Sequence, residues 1–215
     1  QATPPEPPAP STQPRAVWLS RAEPRGHAIA DKILGALGAT IEGGAHPSPE
    51  ALVVVTPVGH DATTAALAEN LDPTRTVALE TVFDPSRRRV VMTTPVTAPA
   101  MHDAAHALFA RDGVPVSVIH DSPGFVAQRV VAMIVNLACD IAQQRVASPR
   151  DIDLAIPLGL GYPMGPLAWG DALGAATVLA IVERIQAFYA DPRYRPSPWL
   201  KRRAALGVSL LTEEA

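Results

Sequence analysis

The sequence predicts an α/β unit followed by an all-α unit. Three observations carry that reading. Between Ala16 and Ile119 short β-branched runs alternate with helical stretches, and from Asp121 onward the strand-like runs vanish. The 215 residues are 47% hydrophobic and 18% charged, which is enough apolar side chain to bury a sizeable core.

The elements follow in order. The opening QATPPEPPAPSTQP, residues 1–14, holds six prolines and almost no apolar side chain, so it reads as a linker from an upstream domain of a longer chain. The α/β unit, residues 15–119, begins with the strand AVWLS and the helix HAIADKILGALGA. ALVVVT, TVAL, RVVMTT and VPVSVI supply further strands, with helices at DATTAALAENL and APAMHDAAHALFARDG. Asp61 is placed to cap the first of these two helices and Gly113 to stop the second. The order implies a mostly parallel sheet with crossover helices. In the helical unit, residues 120–215, the spacing predicts helices over 124–146, 149–156, 166–173 and 175–190. The second starts with Ser148 as cap, Pro149 in the first position and Asp151 in the first turn. The run Val130–Cys139 is apolar nearly all round, broken by Asn136. A helix without a wet face needs neighbours on every side, from its own core or from a second copy in a homodimer.

Composition removes several function classes. A formal charge of −3 gives no general attraction for nucleic acid or an anionic membrane. The longest strongly apolar run, VVAMIV, is far short of a spanning helix, and the N-terminus has no signal pattern. A single cysteine, Cys139, permits no intrachain disulfide and suits a reducing, cytoplasmic compartment, where it reads as an inert buried thiol.

Candidate chemistry is sparse. After the first strand SRAEPRGHAIAD keeps Gly26 but lacks the other glycines with which a dinucleotide site turns tightly and admits a pyrophosphate. Gly59 and His60 follow a parallel strand, a place for a site or an ordinary loop. HDAAH puts His102 and His106 on one helical face, an echo of a zinc-protease pair without an obvious third ligand, which favours surface decoration. Asp121 or Ser122 could cap the long helix, with Pro123 in its first turn, or that helix start could face a ligand cleft through Gly124. The basic YRPSPWLKRR reads as a solvated face or a phosphate contact.

The stretch DSPGFVAQR, followed by DID and GYPMGP, resembles the C-terminal domain of the 3-hydroxyacyl-CoA dehydrogenase family over about residues 114–206. The ending YRPSPWLKRRAALG is similar to the tail of the long bacterial form that acts in phenylacetate degradation. The resemblance implies a degenerate Rossmann-like unit followed by a helical domain that dimerises and shapes an acyl-CoA cleft. It also implies NAD-dependent oxidation of 3-hydroxyacyl-CoA to 3-oxoacyl-CoA, as in fatty-acid β-oxidation, with the hydride chemistry in an upstream domain. Substrate contacts would fall on Gly124, Gln128, Arg129, Tyr162, Gly165 and Pro166. Where the family has its catalytic histidine this chain has Thr81, about Val90 meets the glutamate, and Gln128 replaces an asparagine. These departures imply that NAD is not bound here and that the fragment is inactive in hydride transfer alone. The alternatives are a structural dimerisation module binding no ligand and a small metal hydrolase built on His102 and His106.

Overall fold

The strands β1 (Val17–Leu19), β2 (Ile41–Glu42), β3 (Leu52–Val55), β4 (Thr76–Leu79), β5 (Arg89–Thr93) and β6 (Val116–Ile119) form one sheet in the order β2-β1-β3-β4-β5-β6. The structure is a computed structural model that describes residues 10–214, so most of the proline-rich opening lies outside the described residues. Its first compact unit ends at Phe125 and its second begins at Val126.

Every residue of β3 and β4 is buried, so these short runs carry apolar side chains on both faces. Leu52 and Val54 point into one core with Ala30 and Leu34 of α1 (Pro24–Ala36) and Leu108 and Phe109 of α3 (Pro99–Phe109). Val53 and Val55 point into the other, with Ala62 and Ala66 of α2 (Ala62–Ala68) and the ring of Phe125. All strand pairs are parallel except β4 and β5, which run antiparallel. The connection over 80–88 is too short for the crossover that a parallel pair needs. The two-residue edge strand β2 has no pattern long enough to read from sequence.

In the second unit α4 (Ala127–Gln143) packs against α5 (Pro149–Leu160), α6 (Pro166–Leu173), α7 (Ala175–Tyr189) and α8 (Pro198–Leu206). Asn136, the polar break in the apolar run, donates to the Arg195 carbonyl at 2.9 Å and accepts from the Ser197 N–H at 2.8 Å. It thereby fixes the segment that leads into α8. The basic tail runs into that helix, where Arg195, Lys201 and Arg202 are exposed as a solvated face requires, while Arg203 is not. Trp199 is buried with its Nε1 donating to the Leu210 carbonyl at 2.9 Å, and Arg203, 4% exposed, lies over its ring and donates to the Thr212 carbonyl. No single described helix is long and apolar enough to cross a membrane. Only α6 and α7 together reach that length, as a pair bent by 96°.

Candidate functional site

The turn between α5 and α6 is organised by a carboxylate. α5 ends at Gly161 in the left-handed conformation, φ 67°, with its N–H on the Pro157 carbonyl at 2.9 Å. The chain returns so that Asp153 accepts the N–H groups of Leu167 at 2.6 Å and Ala168 at 2.8 Å. A side-chain anion therefore occupies the N-terminus of α6, where peptide dipoles favour negative charge. Gly165 is what lets it approach. A Cβ there would stand 2.5 Å from Asp153 Oδ2 and 2.6 Å from its Cβ, an impossible fit. Pro166 takes the first helical position, where no N–H is needed, and Tyr162 meets Trp169 edge-on at 6.5 Å between centroids. Tyr162, Gly165 and Pro166 thus share one turn. The separation of 14 and 15 residues between Asp153 and its partners gave no local signal for its role.

The residues before α4 behave differently from the sequence expectation. Neither Asp121 nor Ser122 caps the long helix, which starts at Ala127 after Val126 without a side-chain cap. Asp121 instead accepts the N–H of Ala62 at 2.8 Å, the N–H of Thr63 at 3.3 Å and the Thr63 hydroxyl. It shares the start of α2 with Asp61, which caps Thr64 as expected. Burial pushes the Asp121 carboxyl above the usual carboxylate range, aided by the neighbouring Asp61 charge and opposed by the Thr63 and Ala62 hydrogen bonds. Gly124 and Phe125 both take positive φ, 72° and 50°, and the Gly124 N–H bonds the His60 carbonyl at 3.2 Å. Two left-handed residues in succession end the α/β unit and start the next direction of chain. Gln128 is fully buried, and Arg129 sits over the Tyr189 ring at 5.5 Å.

At the end of β1 the residues do not fit a dinucleotide. Gly26 packs α1 onto the sheet, as the third glycine of such a fingerprint does. A Cβ would stand 2.9 Å from Thr81 Oγ1 and closer still to Thr56 Oγ1. The two earlier glycine positions hold Arg21 and Glu23, neither with positive φ, and the helix begins on Pro24. A second carboxylate, Glu69, accepts the Ser20 hydroxyl at 2.7 Å just beyond β1. A phosphate would find no tight turn there, and Glu23 and Glu69 stand beside Arg21 and Arg25, which leaves no net positive charge from these four residues. Thr81, at the expected histidine position, is a buried hydroxyl with no acid–base capacity near neutral pH.

The remaining candidates resolve simply. His102 Nδ1 meets Asp103 at 2.9 Å, and among the described residues no three metal-binding side chains converge on a point. Cys139 is buried, and its thiol is pushed up to about 12 by burial.

Residues 124–210 match the family described as 3-hydroxyacyl-CoA dehydrogenase, C-terminal domain. The match covers nearly all of the helical unit. Over 96 residues, 45% of this chain, the sequence is 48% identical to 3-hydroxyadipyl-CoA dehydrogenase of Escherichia coli K12, of which it covers 20%. A probable 3-hydroxybutyryl-CoA dehydrogenase of Bacillus subtilis is 38% identical over 101 residues, 47% of this chain and 35% of that one. The chain therefore spans a fifth to about a third of these relatives. The crystal structure of 3-hydroxybutyryl-CoA dehydrogenase from E. coli K12 aligns with TM-score 0.63 and 34% identity, over 71% of this chain and 31% of that one. The (S)-3-hydroxybutyryl-CoA dehydrogenase from Ralstonia eutropha aligns over 94% of this chain and 71% of that one, with TM-score 0.72. At 24% identity that likeness speaks for the fold, and it embraces the α/β unit as well as the helices.

Proposed function

We propose that this chain is the C-terminal portion of a 3-hydroxyacyl-CoA dehydrogenase, a dimerising and acyl-CoA-binding part whose NAD-dependent hydride chemistry is supplied upstream. The observation that carries the reading is a contrast. The chain keeps the family's PGF, DID and GYPMGP elements, the last two joined in one turn by the Asp153 carboxylate, while the strand end that would seat a dinucleotide lacks the tight-turn glycines. Gly124, Gln128, Arg129, Tyr162, Gly165 and Pro166 are the positions proposed to meet the acyl-CoA. The name of the E. coli relative, 3-hydroxyadipyl-CoA dehydrogenase, favours a 3-hydroxyadipyl-type acyl chain, and the resemblance of the tail YRPSPWLKRRAALG favours a role in phenylacetate degradation. Exposed apolar side chains on α4 and α5 support a homodimer, among them Leu137, 62% exposed, and Leu158, 78% exposed. The cytoplasm is the proposed compartment.

Calorimetric titration of the 215-residue chain with acetoacetyl-CoA and, separately, NADH tests the reading. Binding of the acyl-CoA without NADH is expected. Tight NADH binding would overturn the assignment of hydride chemistry to an upstream domain. Binding of neither would leave a structural module.

A further inference from the structure

The α/β unit, read so far only as a scaffold, contains a groove that the acyl-CoA reading leaves unused. It runs along one flank of α1, between Arg25, Ile29, Lys32, Ile33 and Ala36 and the segment Thr81–Ser86, and encloses about 490 Å³. That volume suits a small ligand. Its walls are mainly apolar, with Ile29, Ile33, Val82 and Phe83 half-buried.

The charge of the lining is specific. Arg25 and Lys32 have no acidic partner among the described residues, and Asp84 is the one acid in the lining. Arg89, more than nine-tenths buried in the groove wall, gives its two terminal nitrogens to Asp112 at 2.7 Å each. Its Nε–H has no acceptor among the described residues. Subtracting Asp84 and Asp112 from three cations leaves one positive charge and one buried, unspent donor.

We infer that this groove binds a monoanionic amphiphile, an acyl or aryl chain that ends in a carboxylate. A carboxylate carries a single charge at neutral pH and accepts hydrogen bonds from guanidinium, whereas a phosphate monoester brings nearly two charges and exceeds what the lining balances. The site lies wholly in the α/β unit, so it stands or falls separately from acyl-CoA binding by the helical unit.

The test is titration of the full chain with octanoate and, in parallel, with 1-octanol and octyl phosphate. Octanoate is expected to bind at least tenfold more tightly than either. Arg25→Gln with Lys32→Gln should weaken octanoate at least fivefold. Ala36→Trp, which fills the groove from an exposed position without touching the core, should abolish binding while far-UV circular dichroism stays unchanged. Equal binding of octanol would show that the charges are not read and overturn the inference. So would octanoate binding that survives Ala36→Trp, or no octanoate binding at millimolar concentration. Acetoacetyl-CoA binding measured on the Ala36→Trp variant should match the unaltered chain, which separates failure of this site from failure of the acyl-CoA reading.

Discussion

Replacing Gly165 with alanine isolates the energetic role of the turn between α5 and α6. The backbone at Gly165 has φ −64° and ψ 146°, a conformation open to any residue, so the substitution introduces no backbone strain. Its whole effect runs through Asp153, whose side chain must leave the space a Cβ would take. Leaving breaks two charge-assisted hydrogen bonds to the start of α6, each worth about 1.5–3 kcal/mol. Against this stands a gain of about 0.4–1 kcal/mol from a less flexible unfolded chain. The expected net loss is about 2–5 kcal/mol. Urea unfolding followed by tryptophan fluorescence reads it, because Trp169 and Trp199 both lie in the helical unit. Asp153→Gly supplies the decisive background, since the Asp153 Cβ, which alanine would keep, itself lies 2.6 Å from the added methyl. With the carboxylate already gone, Gly165→Ala should be neutral or slightly stabilising. An equal loss in both backgrounds, or a loss under about 1 kcal/mol in the unaltered chain, would refute the carboxylate account.

Three further outcomes are expected. Asn136→Leu should cost about 2–5 kcal/mol in the same urea assay, since it strands the Arg195 carbonyl and the Ser197 N–H without partners. The pH dependences of Asp121→Asn and Asp112→Asn should have opposite signs. The Asp121 carboxyl is raised by burial, so the folded state binds its proton more tightly, and the unaltered chain should gain stability relative to Asp121→Asn as pH falls toward 3.8. The Asp112 carboxyl is lowered by its hydrogen bonds to Arg89, so its contribution is present above the unfolded value and should be lost as pH falls through and below 3.8, measured against Asp112→Asn. Leu137→Glu with Leu158→Glu should convert the proposed dimer to a monomer by light scattering, with helicity retained.

The legible parts of this molecule were those set by local chemistry. The β-branched runs at 52–55 and 76–79 are the buried central strands, and Asp61 and Ser148 cap the helices they precede. Asp121 escaped because its partners lie 58 and 59 residues earlier, and a local capping rule sends it to the wrong helix. The direction of β5 depended on loop length rather than pattern. In the tail Arg195, Lys201 and Arg202 are exposed as their charge suggests, whereas Arg203 is held by a ring face and a carbonyl, contacts that no hydropathy pattern encodes. Of the proposed site, Gly165 stood out as a glycine but its reason, the Asp153 carboxylate, came only with the fold.

The fold-back of Asp121 to Phe125 onto α2 has a consequence for anyone recombining this protein with its kin. The family match opens at residue 124, two residues before the second compact unit, and the ring of Phe125 is packed, like the carboxylate of Asp121, into the preceding sheet unit. A chimera joined at the end of the last strand would import a foreign latch for α2, whereas one joined between Phe125 and Val126 would carry each latch with the helix it closes.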